Sequence, residues 1–201
     1  MIKVINYGLG NILSFINLYK RLNIECGVAT SSRELEGATR IILPGVGSFD
    51  HAMDSLNQSG MRPALDELIL EKKLPVLGIC VGMQMLAGSS DEGQRAGLGW
   101  VPGSVKKFDL ERVKQLPHMG WNDVDPVDAE GLFKGFGDSS KFYFLHSYYY
   151  ECEQQAHVLA TANYGADFTC AVKNNNVHGV QFHPEKSHQY GMSLLKNFSE
   201  L

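Results

Sequence analysis

The sequence predicts an α/β fold: a central, mainly parallel sheet with flanking helices, plus additional antiparallel strands in the second half. Three observations point there. The first half alternates short apolar runs with helix-period segments, the pattern of a parallel sheet covered on both faces. The second half carries strand-like runs separated by turn signals such as Asn174-Asn175-Asn176. The chain has 201 residues, 44% hydrophobic and 20% charged, which suits one globular domain with a proper core. No internal repeat, low-complexity segment or linker divides it, so a single domain over 1–201 is expected.

In chain order, Ile2 to Asn6 is the first expected strand, ended by Gly8-Leu9-Gly10. Asn11 to Leu22 has helical spacing, with Ile12, Phe15, Ile16 and Tyr19 on one face. Gly27-Val28-Ala29 sits in a short second strand, and Arg40 to Leu43 forms a third, stopped by Pro44-Gly45. Phe49 to Leu56 and Pro63 to Leu70 read as helices, the second with proline near its first turn. Pro75 to Ile79 is a buried strand and Val81 to Ala87 a helix. Gly88 to Gly93 reads as a polar loop. Strand-like runs follow at Ser104–Phe108, Phe142–Tyr150, His157–Tyr164, Phe168–Lys173 and His178–Phe182. A last helix runs from about His188 to Phe198.

Charge and composition exclude several roles. Net charge is −4 and no Lys/Arg run stands out, so no nucleic-acid partner is expected. No apolar stretch reaches the roughly 18 residues of a membrane span, so no membrane partner is expected either. The N-terminus lacks the basic region, apolar run and cleavage site of an export signal, which predicts a cytoplasmic chain. Cys26, Cys80, Cys152 and Cys170 form no CxxC pair and read as free thiols in a reducing compartment.

The strongest chemical signal is Gly78-Ile79-Cys80-Val81-Gly82, set between a buried strand and a helix. That is the nucleophile-elbow pattern with cysteine in place of serine. The sharp turn strains the central residue, and flanking side chains must be minimal. The sulfur then meets a helix N-terminus, whose dipole favours thiolate. The Val81 N–H is free to donate to an oxyanion. The bland alternative is a buried structural cysteine.

A second signal is Phe182-His183-Pro184-Glu185, with a strand ending at His183. A cysteine nucleophile needs a base, and the base an orienting partner, roles open to His183 and Glu185. The alternatives are a metal held by His183, Glu185 and His188, or a structural histidine. The third signal, Pro44-Gly45-Val46-Gly47, is a Gly-rich turn at a strand's C-terminal end, able to offer a second oxyanion donor or to be an ordinary turn. Gly8-Leu9-Gly10 lacks the third glycine of a dinucleotide site, because position 13 is Leu13. Trp100 and Trp121 are open between core and interface.

Gly78-Ile79-Cys80-Val81-Gly82-Met83-Gln84 and His183-Pro184-Glu185 resemble the class I glutamine amidotransferase family. A finer resemblance runs through the chain to the HisH family, the glutaminase subunits of imidazole glycerol phosphate synthase. It rests on Asn6-Tyr7-Gly8-Leu9-Gly10-Asn11, Pro44-Gly45-Val46-Gly47-Ser48-Phe49, Pro117-His118-Met119-Gly120-Trp121-Asn122, His146-Ser147-Tyr148-Tyr149 and Phe182 to Ser187. The resemblance implies a class I glutamine amidotransferase-like fold. It also implies that L-glutamine is hydrolysed to glutamate and ammonia by a Cys80-His183-Glu185 triad, with no cofactor and no metal. Gly45, Val46 and Gly47 would form a switchable oxyanion element beside Val81. Gln84 and Glu92 would hold the glutamine head group, and Ser147-Tyr148 its backbone end. The family often has Leu after the nucleophile; here it is Val81.

A (β/α)8 barrel needs about 250 residues. The acceptor enzyme is therefore expected to be a separate protein, which the resemblance implies is a HisF-type cyclase/synthase forming a heterodimer in histidine biosynthesis. Asn11, Met119, Trp121 and Lys186 lie in motifs that the resemblance places at that interface. Two other readings compete. One is a HisH-like paralogue serving a synthase that aminates a nucleotide-linked sugar; the other is a cysteine peptidase-like hydrolase.

Overall fold

The structure is a computed structural model describing residues 1–113, 115–137 and 140–201. The first strand, β1 (Ile2–Ile5), leads through Asn11 into helix α1 (Ile12–Arg21). Asn11 Oδ1 accepts the Ser14 N–H at 3.4 Å, an N-cap that starts the helix. The apolar spacing buries Phe15 and Tyr19, and Lys20 and Arg21 sit in the last turn, where cations favour the dipole. Next come β2 (Cys26–Ala29), β3 (Arg40–Gly45), α2 (Phe49–Gln58), α3 (Arg62–Asp66) and β4 (Val76–Cys80). A one-turn helix, α4 (Val81–Gln84), follows β4 directly.

The second half holds β5 (Ser89–Ser90), β6 (Gly103–Lys107), β7 (His118–Pro126), β8 (Ser140–His146), β9 (Tyr148–Cys152), β10 (Val158–Asn163), β11 (Asp167–Asn174) and β12 (Val177–Val180). Helix α5 (His188–Glu200) closes the fold and packs on α1, where Tyr19 donates to the Leu195 carbonyl at 3.1 Å.

The described residues form one sheet of twelve strands, running β2-β1-β3-β4-β12-β11-β10-β7-β8 along its main path. The five strands from β2 to β12 are parallel. From β12 onward the pairing is antiparallel. Parallel sheets are covered on both faces, and β4, the central strand, is buried along its whole length.

Several expectations need correction. The third strand does not stop at Pro44-Gly45; it runs to Gly45. Ile41 donates to the Pro75 carbonyl, so strand alternation turns the Pro44 nitrogen toward the β1 side, where pairing has already ended at Ile42. A missing N–H costs no ladder bond there. The helix expected over Pro63 to Leu70 is α3 followed by a π turn at Glu67–Glu71, where Lys72 N–H bonds Glu67 O.

The helix expected over Val81 to Ala87 ends at Gln84. The carbonyls of Met85, Leu86 and Ala87 are claimed instead by the N–H groups of Leu98, Val101 and Gly99. The run Phe142 to Tyr150 is two strands broken at Ser147, because β8 pairs with β7 and β9 with β6. The strand expected over His178 to Phe182 ends at Val180, short of His183. Two strands went unforeseen: Ser89–Ser90 inside the expected loop, and β7. The latter buries only His118 and Val124, too few to mark a strand in the sequence.

Trp100 is core, with its indole N–H donating to Asp66 Oδ1 at 2.8 Å. Asp66→Ala leaves that buried donor unpaired. The expected outcome is a loss of about 1–3 kcal/mol in unfolding free energy with an unchanged urea m-value. An unchanged midpoint would show the bond to be dispensable.

Candidate active site

Three neighbouring parallel strands end at one level of the sheet. β3 delivers Gly45-Val46-Gly47, β4 delivers Cys80, and the segment after β12 delivers His183. Open α/β sheets bind ligands at the carboxyl ends of their strands. Cys80 has φ 57° and ψ −116°, a left-handed conformation that a non-glycine residue adopts only under constraint. The constraint is backbone contact. A side chain on Gly82 would strike the Leu43 carbonyl, and one on Gly78 would lie 2.6 Å from the Gly82 carbonyl oxygen. The strand and the helix turn can touch only through glycines.

The Cys80 sulfur is 4.0 Å from the Leu145 carbonyl oxygen and 3.9 Å from Gln181 Nε2. His183 Nδ1 and Glu185 Oε1 are 2.8 Å apart, and both side chains are buried. The His183 main chain is bolted to β8: its N–H donates to the Tyr143 carbonyl at 2.8 Å. The Ser187 hydroxyl completes the clamp, donating to the His183 carbonyl at 2.6 Å and accepting the Tyr143 N–H at 3.0 Å.

These groups face a cavity of about 330 Å³. Of the residues singled out in the sequence, Val46, Gly47, Cys80, Val81, Gln84, Glu92, Ser147, Tyr148, His183 and Lys186 line it. Glu185 sits behind His183, and Gly45 packs on the Gly82 backbone below the wall. Gln84 is buried, its amide donating to Gln181 Oε1 at 2.9 Å and to the Tyr148 carbonyl at 3.4 Å. Glu92 is half-buried, and one of its oxygens accepts the Phe49 N–H at 2.8 Å at the start of α2. Asp50 holds the same loop by accepting from the N–H groups of Gln94 and Arg95.

The structure adds residues to which sequence reading assigned no role. Pro117, Leu145 and His146 line the cavity. Gln181 links Gln84 to the Cys80 sulfur; the signal for it was a polar side chain between Val180 and Phe182 in a buried run. Tyr7 donates to the Pro44 carbonyl at 2.7 Å, and Gly10 lies against Pro44, so the Gly8-Leu9-Gly10 segment props the Pro44 loop.

Met119 and Trp121 do not line the cavity. They stand exposed on the outer face of β7, opposite Leu145 and Tyr143 of β8. Lys186 Nζ lies 5.6 Å from the centre of the Tyr143 ring, and His188 stacks on Trp121 at 5.2 Å. The imagined metal set therefore does not assemble, because His188 is turned onto Trp121. Asn11 is the exposed cap of α1 and also lies outside the cavity wall.

Comparison with known proteins places the chain in a family. The family model described as "Glutamine amidotransferase class-I" matches residues 4–200. The chain belongs to the class I glutamine amidotransferase family. A Bdellovibrio bacteriovorus protein named imidazole glycerol phosphate synthase subunit HisH is 63% identical, with 100% of each chain covered. The protein of that name from Leptospira borgpetersenii is 50% identical, again with 100% of each covered. A crystal structure described as a glutamine amidotransferase superposes with a TM-score of 0.78 at 21% identity, covering 99% of this chain and 97% of that one. That likeness concerns the fold.

In this class I glutamine amidotransferase, burial disfavours the thiolate at the other three cysteines. Burial raises the Cys26 thiol to about 11 and the Cys152 thiol to about 12, and holds Cys170 well above its ordinary value. None of the three lines the cavity. For His183, burial opposes the charged ring. The Cys80 sulfur and the Glu185 carboxylate outweigh burial and raise it to about 10. His183 Nε2 has no hydrogen-bond partner of regular geometry, so the sulfur acts on it through proximity rather than an aligned bond.

A proton held more tightly in the folded state stabilises it. That contribution is complete below the ring's ordinary value of 6.5 and fades as pH rises through about 10. Glu185→Gln removes part of it. The destabilisation measured by urea unfolding is expected to be larger at pH 6 than at pH 10; a pH-independent difference would contradict the assignment.

Proposed function

We propose that this chain is the glutaminase subunit of an imidazole glycerol phosphate synthase, with Cys80 as nucleophile, His183 as base and acid, and Glu185 as its orienting partner. The observation that carries the reading is the Cys80–His183–Glu185 constellation in a chain 63% identical, end to end, to a protein named HisH.

Cys80 Sγ, its proton already taken up by His183, attacks the side-chain amide carbon of glutamine. The tetrahedral oxyanion is met by backbone N–H groups at Val46 and Val81. His183 returns its proton to the leaving nitrogen, so the C–N bond breaks and ammonia departs. The glutamyl thioester is then cleaved by a water that His183 deprotonates, releasing glutamate and restoring the thiol. Gln84 and Glu92 recognise the glutamine head group, and Ser147-Tyr148 its backbone end.

The ammonia goes to a HisF-type cyclase/synthase in a heterodimer that makes imidazole glycerol phosphate and AICAR in histidine biosynthesis. The strip of exposed Met119, Trp121 and Leu145 and half-buried Tyr143, with Lys186 at its edge, supports a protein partner there, since it is apolar and runs into the cavity mouth. The relatives' names do not favour an acceptor that is a nucleotide-linked sugar.

Cys80→Ala is expected to abolish glutamate release from glutamine while leaving the chain folded. A glutamine analogue bearing an electrophile should label Cys80 alone; equal labelling of Cys26, Cys152 and Cys170 would remove the nucleophile assignment.

The partner should also control the rate. Gly45 and Gly47 flank Val46, and Gly47 sits at φ 89°, so the Val46 peptide can turn at small steric cost. A ligand-loaded partner that turns its N–H toward the oxyanion adds one donor, which raises turnover by about 10²–10³. Glutamine hydrolysis is measured for the chain alone, with partner, and with partner plus acceptor substrate. Equal rates in all three would rule out the switch.

A further inference from the structure

Two buried histidines outside the proposed triad form a hydrogen-bond chain whose direction the structure dictates. His146 Nδ1 lies 2.7 Å from the Tyr148 carbonyl oxygen, which can only accept, so Nδ1 carries the proton. His118 Nδ1 lies 2.9 Å from His146 Nε2. Burial above all holds His146 at about 3 and His118 at about 4, so both rings are neutral near pH 7. A neutral His146 protonated on Nδ1 offers Nε2 only as an acceptor, and His118 must donate from its own Nδ1. His118 Nε2 is then an acceptor, and the Asn122 amide lies 3.3 Å from it. The Asn122 Nδ2 group also donates to the Asn163 carbonyl at 2.8 Å, which orients the amide. Every link donates in one direction, from Asn122 through His118 and His146 to Tyr148.

The rings are held flat by their neighbours. His118 is stacked between Phe144 and Tyr164, with ring centres 4.8 and 4.0 Å away. His146 is packed by Phe108 and Phe168 at 5.4 and 5.3 Å. The chain ends where the cavity wall turns from β8 into β9. The Tyr148 carbonyl takes the His146 proton and the Gln84 amide, and the preceding Ser147 carbonyl takes the Phe108 N–H at 3.3 Å. Both carbonyls are tied back, which restrains the corner, and Gln84 is tied through Gln181 to the sulfur of Cys80.

We propose that His118 and His146 are positioning residues for the glutamine pocket: together they set the Ser147–Tyr148 corner through a one-way hydrogen-bond chain that starts on β7. The proposal rests on the glutaminase reading for its substrate. The hydrogen-bond chain itself does not.

The first test reads the tautomers. Two-bond proton–nitrogen NMR spectra of the full chain labelled with ¹⁵N-histidine should show both rings neutral and both in the Nδ1–H tautomer, the minority form of free histidine. Either ring protonated on Nε2 at pH 7 would overturn the chain.

The second test uses glutamine hydrolysis by the complex with its synthase partner. His118→Phe keeps an aromatic ring in the stack but removes the donor. It should raise KM for glutamine about three- to tenfold, the worth of one net hydrogen bond, with a smaller change in kcat. His118→Gln, whose amide can both donate to His146 and accept from Asn122, should restore KM. An unchanged KM in His118→Phe, or a His118→Gln chain equally impaired, would overturn the positioning role. Absence of glutamine hydrolysis in the unaltered complex would sink the glutaminase reading, while the tautomers would still decide the hydrogen-bond chain.

Discussion

The site depends on one steric constraint, the backbone-on-backbone contact between the end of β3 and the turn that follows β4. Gly45 and Gly82 are the residues at that contact, and each would drive a Cβ into neighbouring main chain, as Gly78 would into the turn that follows its own strand. Because the chains touch there, the turn after Cys80 has no room to relax, and Cys80 is held at φ 57°. A conformation of that kind costs roughly 1–3 kcal/mol and survives only where its surroundings over-determine it. The surroundings here are β3 and β12 on either side of β4, both parallel to it. The same pairing brings the Val46 loop and the His183 segment to the level of the thiol.

Burial sets the second condition. Gln84, Gln181, His118, His146, His183 and Ser187 are polar and buried, and each lost water must be replaced by a partner. Nearly all are. Ser187 and Tyr143 clamp the His183 backbone, Gln84 and Gln181 satisfy one another, and the two inner histidines share a proton-ordered chain. The buried polar atoms of this region left without a partner are His183 Nε2 and Glu185 Oε2. One of them faces the thiol that the proposed reaction must deprotonate.

Much of this was legible in the sequence, and the unread parts have physical causes. Gly78-x-Cys80-x-Gly82 marks the elbow because glycine at a strand–helix turn answers a steric demand that local spacing reveals. His183 and Glu185 were legible because two residues around a proline cannot stray far apart. The strand β7 was not legible: only His118 and Val124 point inward, so no alternation marks it. Helix α4 was overestimated because its next carbonyls bond to Leu98, Gly99 and Val101, a tertiary choice invisible in a local window. Gln181 and His146 act through partners nearly a hundred residues away or on the next strand, and spacing carries no trace of such contacts. Tyr7 supports Pro44 for the same kind of reason.

The outer face of β7 and β8 connects to the chemistry through one residue. Tyr143 presents its ring to the surface, where it meets Trp121 edge-on at 6.2 Å and Lys186 above its face. Its backbone, two atoms away from that ring's stem, holds the N–H and indirectly the carbonyl of His183. A protein seated on Met119 and Trp121 would therefore press on the strand pair to which the His183 backbone is hydrogen-bonded, not on a remote surface. β7 also starts the chain of hydrogen bonds that ends at the Tyr148 carbonyl, so this strand is linked to both walls of the cavity. Coupling over such a distance needs a continuous set of packed or hydrogen-bonded groups. Here that set is short: one strand pair, one serine clamp and two hydrogen-bonded imidazoles.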